Sequence, residues 1–150
     1  MSQRDLFTLG IDIGSTTVKI AVLDEKNELL FSDYERHFAN IQETLSDLLG
    51  RAVHQLGAIH ASPVITGSGG LTLAKHLGVP FVQEVIAVST ALQDYAPQTD
   101  VAIELGGEDA KIIYFENGNV EQRMNGNLRR RYRFLYRPKW PLCCRQTPRA

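Results

Sequence analysis

Two stretches of this chain follow one plan. Asp12-Ile13-Gly14-Ser15-Thr16-Thr17 sets a carboxylate at the end of an apolar strand, then a glycine, then hydroxyls, with Lys19 in the strand beyond. About ninety residues later, Glu104-Leu105-Gly106-Gly107-Glu108-Asp109-Ala110-Lys111 repeats the order of acid, glycine turn, polar groups and strand lysine. Glycine lets main chain approach a ligand closely and the turn presents amides, so each stretch is a candidate phosphate cradle. Mg²⁺ prefers a few carboxylates, waters and substrate phosphates to an all-protein cage, and Asp12 is expected to hold it through water. Taken singly, each stretch is also what a hairpin with a backbone-suited turn looks like, with Glu108 and Asp109 as solvated turn acids. As a pair facing one another across a cleft, they can clamp a polyphosphate and its metal and promote transfer by positioning and charge neutralisation.

Hydrophobic periodicity supplies the frame around them. Leu6 to Ile13, Val18 to Leu23 and Leu29 to Tyr34 read as an antiparallel meander of three strands, turning at Gly14-Ser15 and Glu25-Lys26-Asn27. From Asn40 the period becomes three and four through Ile41, Leu45, Leu48, Leu49, Ala52, Val53 and Leu56, an amphipathic helix that Gly57 ends. Then come a strand over Pro63 to Thr66, a helix over Leu71 to Leu77 closed by Gly78, a short strand over Val79 to Val82 and a helix over Glu84 to Tyr95. Pro97 to Asp100 is a hinge, and Val101 to Leu105, Lys111 to Glu116 and Asn119 to Arg123 open a second meander. This is the order of a duplicated α/β unit whose second copy has only begun.

The 150 residues, 43% hydrophobic and 22% charged, suffice for one ordinary globular domain. No run approaches the ~20 apolar residues of a membrane span, and a cytoplasmic protein without membrane contact is expected. Cys143 and Cys144 are adjacent, which suits neither an ordinary disulfide nor a four-ligand zinc site. Gly67-Ser68-Gly69-Gly70, between a strand and a helix, favours an anion or a close domain contact, but lacks the lysine of a P-loop. His37, His54, His60 and His76 stand at no metal-ligand spacing and read as surface or helix-end residues without a role. Ser15, Ser68 and Ser89 have no G-x-S-x-G context for a serine hydrolase.

Together the two hairpins resemble the phosphate loops of the actin, Hsp70 and sugar-kinase ATPase superfamily. Leu9-Gly10-Ile11-Asp12-Ile13-Gly14-Ser15-Thr16-Thr17-Val18-Lys19, Ile65-Thr66-Gly67-Ser68-Gly69-Gly70, Val82-Gln83-Glu84-Val85-Ile86-Ala87, Ile103 to Lys111 and Arg123-Met124-Asn125-Gly126 are similar to the BadF/BadG/BcrA/BcrD family. Its members are ATPase activators of 2-hydroxyacyl-CoA dehydratases and benzoyl-CoA reductases in anaerobic metabolism. The resemblance covers residues 5–127. It implies an α/β, ribonuclease-H-like (actin-like ATPase) domain with a mixed sheet over 1–97, the first hairpins of a second such domain over 98–127, and an aberrant basic tail over 128–150. By the same resemblance the intact protein uses ATP and Mg²⁺, forms a homodimer bridged by one 4Fe-4S cluster, and drives a low-potential electron into an acyl-CoA dehydratase or reductase component. Asp12 and Glu104 are then the catalytic acids, Asp12 positioning Mg²⁺. Gly14, Ser15, Thr16, Thr17 and Lys19 line the first loop, and Gly106, Gly107 and Asp109 the second. The family commonly has Asp at the position of Glu104, where Glu keeps the charge but moves it by one methylene. A sugar-type small-molecule kinase shares both loops and is the alternative, and an actin-like assembly module is a third class.

Charge divides the chain sharply: residues 1–127 hold 8 basic and 17 acidic side chains, residues 128–150 hold 8 basic and none acidic. Where the family continues after Asn127 with Cys-Ala-Gly-Gly-Thr-Gly, the cysteine of which ligates the cluster, this chain has Leu128 to Arg137. A permitted back-translation of those residues, read one base later, spells Cys-Ala-Gly-Gly-Thr-Gly-Ser-Phe-Ile-Asp. The tail is therefore read as frame-shifted, and the cluster ligand as absent from the chain. The rival is a nucleic-acid tail, with Arg129 to Arg137 on phosphates and Tyr132, Phe134 and Tyr136 on bases; nucleic acid is not the expected partner.

Overall fold

The computed structural model describes residues 7–105, 110–116 and 119–125. The expectations placed on Gly106, Gly107, Glu108, Asp109 and the 128–150 tail lie outside the described residues.

Strands β1 (Phe7–Ile13), β2 (Thr17–Leu23) and β3 (Leu29–Arg36) form the expected meander, and β4 (Ala61–Thr66) adds to the other edge of β1 in parallel. The resulting order β3-β2-β1-β4 is a mixed sheet, as expected. Helix α1 (Ile41–Leu56) crosses from β3 to β4, and α2 (Gly70–Leu77) and α3 (Glu84–Tyr95) follow. Strands β5 (Val101–Leu105), β6 (Ala110–Glu116) and β7 (Asn119–Asn125) make a second, antiparallel sheet in that order. Among the described residues no helix is long and apolar enough to cross a membrane.

The period-two alternation of β1 and β2 puts Ile11, Ile13, Val18, Ile20 and Val22 on one buried face. Leu45, Leu48 and Ala52 of α1, spaced by three and four, cover it with Phe31 and Ile65. Arg51 on the outer side of α1 reaches Asp33 at 2.8 Å and also Glu35, two exposed pairs that fix the helix on β3 more than they stabilise it. Gly57, at φ 77, ends α1 with its N–H on the Val53 carbonyl at 2.9 Å, a left-handed residue where a side chain is strained.

Two details differ from the sequence reading. Val79 to Val82 is no strand: Phe81 makes one parallel bridge to Ile65. Ile65 N–H bonds the Pro80 carbonyl at 3.0 Å and Val82 N–H returns to the Ile65 carbonyl at 2.9 Å, but Pro80 has no N–H with which to lengthen the ladder. His37 is not a surface or helix-end residue either, because at the end of β3 it is folded inward and buried.

Leu48 is fully enclosed. Leu48→Ala is expected to lower the stability of the chain by about 2–5 kcal/mol, measured as a shift of the urea unfolding midpoint.

Candidate functional site

The pairing register creates the site. Asp12 faces Lys19 across β1 and β2, and Thr66 across β1 and β4, so the three stand in one row over the sheet. Lys19 Nζ lies 2.7 Å from Asp12 Oδ2, with Lys19 largely exposed. Asp12 Oδ1 and Thr66 Oγ1 are both buried without a hydrogen-bond partner, an arrangement that costs free energy unless a ligand, ion or water completes it.

Gly67-Ser68-Gly69-Gly70 closes over the end of β1. Gly69 N–H donates to the Ile13 carbonyl at 2.8 Å. A Cβ at Gly67 would stand 2.4 Å from both Asp12 Oδ1 and the Ile13 carbonyl oxygen, and its φ of +91 is itself left-handed, so only glycine fits. The close contact the structure contains here is with the main chain of β1. Gly14 N–H bonds the Thr17 carbonyl at 2.9 Å, leaving Ser15 and Thr16 exposed at the tip of the turn, while Thr17 is already the first residue of β2.

The second sheet repeats the first row. Glu104 faces Lys111 across β5 and β6 as Asp12 faces Lys19, each acid one residue before its strand ends. Lys111 Nζ lies 3.6 Å from Glu104 Oε1 and also pairs with Glu84, the first residue of α3. Glu104 Oε2 is buried without a hydrogen-bond partner. Burial, then the neighbouring Glu84 carboxylate, pushes the Glu104 carboxyl up to about 7 against the opposing pull of Lys111. Glu84 goes the other way: burial would raise it, but Glu104 beside it and the Lys111 and Lys19 ammonium groups hold it below the usual carboxyl range. Lys19 of the first row is thus within electrostatic reach of Glu84.

Thus Asp12 and Lys19 are brought together on the first sheet and Glu104 is set beside Lys111 on the second, whereas Gly106, Gly107 and Asp109 lie outside the described residues. Glu84 and His37 were missed. Glu84 stands in a stretch that carried the family resemblance, Val82 to Ala87, yet no local spacing tied it to Glu104. His37 Nε2 lies 3.3 Å from the Gly14 carbonyl oxygen, a contact with no sequence signal. The oxygen donors suit Mg²⁺: the described residues contain no group of three or more His, Cys, Asp or Glu that could hold a metal, but an unpaired carboxylate oxygen on Asp12 is what a water-mediated Mg²⁺ site on substrate phosphates uses. A 4Fe-4S cluster does not fit the described residues, which include no cysteine.

Comparison with known proteins shows what the chain is similar to. No protein-family model matches the chain. An uncharacterized protein of Methanocaldococcus jannaschii, MJ0004, is 30% identical over 113 residues, 75% of this chain and 45% of that protein. The (R)-2-hydroxyglutaryl-CoA dehydratase activating ATPase of Acidaminococcus fermentans is 26% identical over 118 residues, 77% of this chain and 45% of that protein. The crystal structure of the A. fermentans dehydratase component A superposes with a TM-score of 0.67 at 25% identity, over 81% of this chain and 48% of that one. The chain is homologous to the (R)-2-hydroxyglutaryl-CoA dehydratase activating ATPase. Its fold is that of the actin-like ATPase activators, shared with the activator of the 2-hydroxyisocaproyl-CoA dehydratase from Clostridium difficile, solved with bound ADPNP (TM-score 0.67, 23% identity, 81% of this chain and 46% of that one). The chain spans a little under half the length of the curated relatives it matches.

The raised Glu104 carboxyl makes a signed prediction. Between pH 4.5 and about 7 the native chain keeps a proton that the unfolded chain releases, so this group's contribution to stability is full below pH 4.5 and is lost as pH rises towards 7. Glu104→Gln removes that contribution. The unfolding free energy of the wild type relative to Glu104→Gln, measured in urea at pH 5 and pH 8, should therefore fall from the lower pH to the higher.

Proposed function

We propose that the chain is part of an ATP-dependent activator that works on an acyl-CoA dehydratase or reductase component. The observation that carries this is the recurrence of the acid–lysine row on both sheets, with buried oxygens on Asp12 and Glu104 that lack a hydrogen-bond partner. Homology to an activating ATPase and the likeness of fold to an activator solved with ADPNP support it.

In this reading Asp12 Oδ1 holds Mg²⁺ through water, and the metal, when bound, neutralises phosphate charge. Gly14, Ser15, Thr16 and Thr17 form the first phosphate turn, and Gly106, Gly107 and Asp109 the second. Lys19 exchanges its Asp12 partner for a phosphate oxygen. With its carboxyl raised to about 7, Glu104 passes between charged and protonated forms near neutral pH, which lets it supply or accept a proton near the reacting phosphoryl group. Residues 1–97 are the first ribonuclease-H-like domain, 98–127 the beginning of the second, and 128–150 a frame-shifted tail. The 4Fe-4S cluster, the homodimer, the electron delivered to the partner and a cytoplasmic setting come with the resemblance, and the roles of Asp12, Lys19, Glu84 and Glu104 do not depend on the cluster.

Two experiments test this. MgATP binding to the purified chain, followed by calorimetry, should be reduced at least about tenfold by Asp12→Asn, which removes the carboxylate charge and keeps the shape, and removal of Mg²⁺ with EDTA should abolish the difference between wild type and variant. Resequencing codons 120–150 from independent template should restore Cys-Ala-Gly-Gly-Thr-Gly by a single frame correction; the corrected protein should then bind iron, as a sugar-type kinase would not.

A further inference from the structure

His37 is only 8% exposed and has no part in the roles above. Its ring is engaged at both nitrogens: Ala39 N–H donates to Nδ1 at 3.0 Å, and Nε2 lies 3.3 Å from the Gly14 carbonyl oxygen. A ring nitrogen that accepts carries no proton, so these partners assign the neutral tautomer with its hydrogen on Nε2, donated to Gly14. The main-chain N–H of His37 donates to the Thr16 carbonyl at 3.2 Å. One residue, by side chain and main chain, thus holds two carbonyls of the first turn.

The loop around it is shaped for this. Phe38 and Ala39 are consecutive left-handed residues, φ 43 and 68, a conformation that side chains disfavour and that surrounding bonds must hold. Asn40 N–H returns to the His37 carbonyl, and the Thr44 N–H and Oγ1 both donate to the Asn40 carbonyl, at 3.2 and 2.9 Å, anchoring the loop on α1. The result delivers the Ala39 N–H to Nδ1 and leaves the Phe38 ring in solvent.

The consequence for the turn follows from peptide geometry. A trans peptide is planar, and the C=O of Gly14 and the N–H of Ser15 belong to one plane and point in opposite directions. Holding the Gly14 oxygen against His37 turns the Ser15 N–H away from the β3–α1 loop and keeps it from flipping, so that a donor and not a carbonyl is offered on the far side of the turn, where an anion gains from it. We propose that His37 is the positioning residue of the Gly14–Thr17 turn, orienting the Ser15 amide for a phosphate group of the nucleotide. The proposal rests on the nucleotide reading above.

Two variants separate the two ring nitrogens. His37→Gln reaches as far as Nε2 and can still donate to Gly14, whereas His37→Asn places an acceptor where Nδ1 is and donates nothing to the turn. With the full chain, MgATP titration should show His37→Asn weakened about tenfold and His37→Gln within about threefold of wild type, both variants melting within a few degrees of it. Equal affinity of His37→Asn and wild type, or equal loss in both variants, overturns the proposal. A wild-type chain that binds no MgATP sinks the nucleotide reading instead. The imidazole ¹⁵N shifts and the Ser15 amide resonance then decide His37 on their own. A bare Nδ1, a protonated Nε2 and a Ser15 shift moved by Asn but not by Gln support it; the opposite tautomer or an unmoved Ser15 overturns it.

Discussion

Strand β1 is hydrogen-bonded along both edges, antiparallel to β2 and parallel to β4, and almost everything else is placed by that double pairing. A strand with two neighbours cannot slide by one residue without turning Ile11 and Ile13 out of the core and Asp12 into it. Its last residues therefore have fixed addresses: Asp12 beside Lys19 and Thr66, the Ile13 carbonyl under Gly69, and Gly14 at the mouth of the turn. The glycines of the 67–70 stretch are the steric counterpart of this constraint, since any Cβ at Gly67 would collide with the carboxylate that the register has just placed there.

The charges gathered at this end of the molecule are balanced against one another and not against solvent alone. Lys111 sits between two carboxyl groups and is mostly buried, so three ionisable groups share too little water to be fully charged independently. The conflict is eased by the raised Glu104 carboxyl, and Glu104 yields before Glu84 because Glu84 lies nearer to the Lys111 charge. A multiply charged anion with its own cation would enter a group already organised around such an exchange, with Asp12 and Glu104 each holding an oxygen in reserve.

Much of this was legible in the residue order, because it depends on neighbours in sequence. Period-two alternation in β1 and β2, the three-and-four spacing of α1 and the glycine stops at Gly57 and Gly78 are local properties, and each falls where the structure has it. The Asp12–Lys19 pair was within reach too, as a short hairpin brings those positions opposite one another. Contacts between distant segments were not legible. Glu84 meets Lys111 only because the first residue of α3 comes beside β6, and His37 is inward only because two left-handed residues reverse the chain after it. Pro80 shows the converse: four extended residues suggested a strand, and one missing N–H reduced it to a single bridge.

The second sheet carries a feature with a different meaning. Val101, Ile103 and Leu105 alternate along β5 with their side chains 45%, 65% and 74% exposed, and β5 is the outermost strand of its sheet in the order β5-β6-β7. An edge that no other described strand pairs with and a row of aliphatic side chains thus occur on the same short strand, the combination by which a sheet recruits another strand or layer. The cost of leaving that row in water is part of the free energy of the fold, and any layer that covered it would lower that cost in proportion to the apolar area removed from solvent.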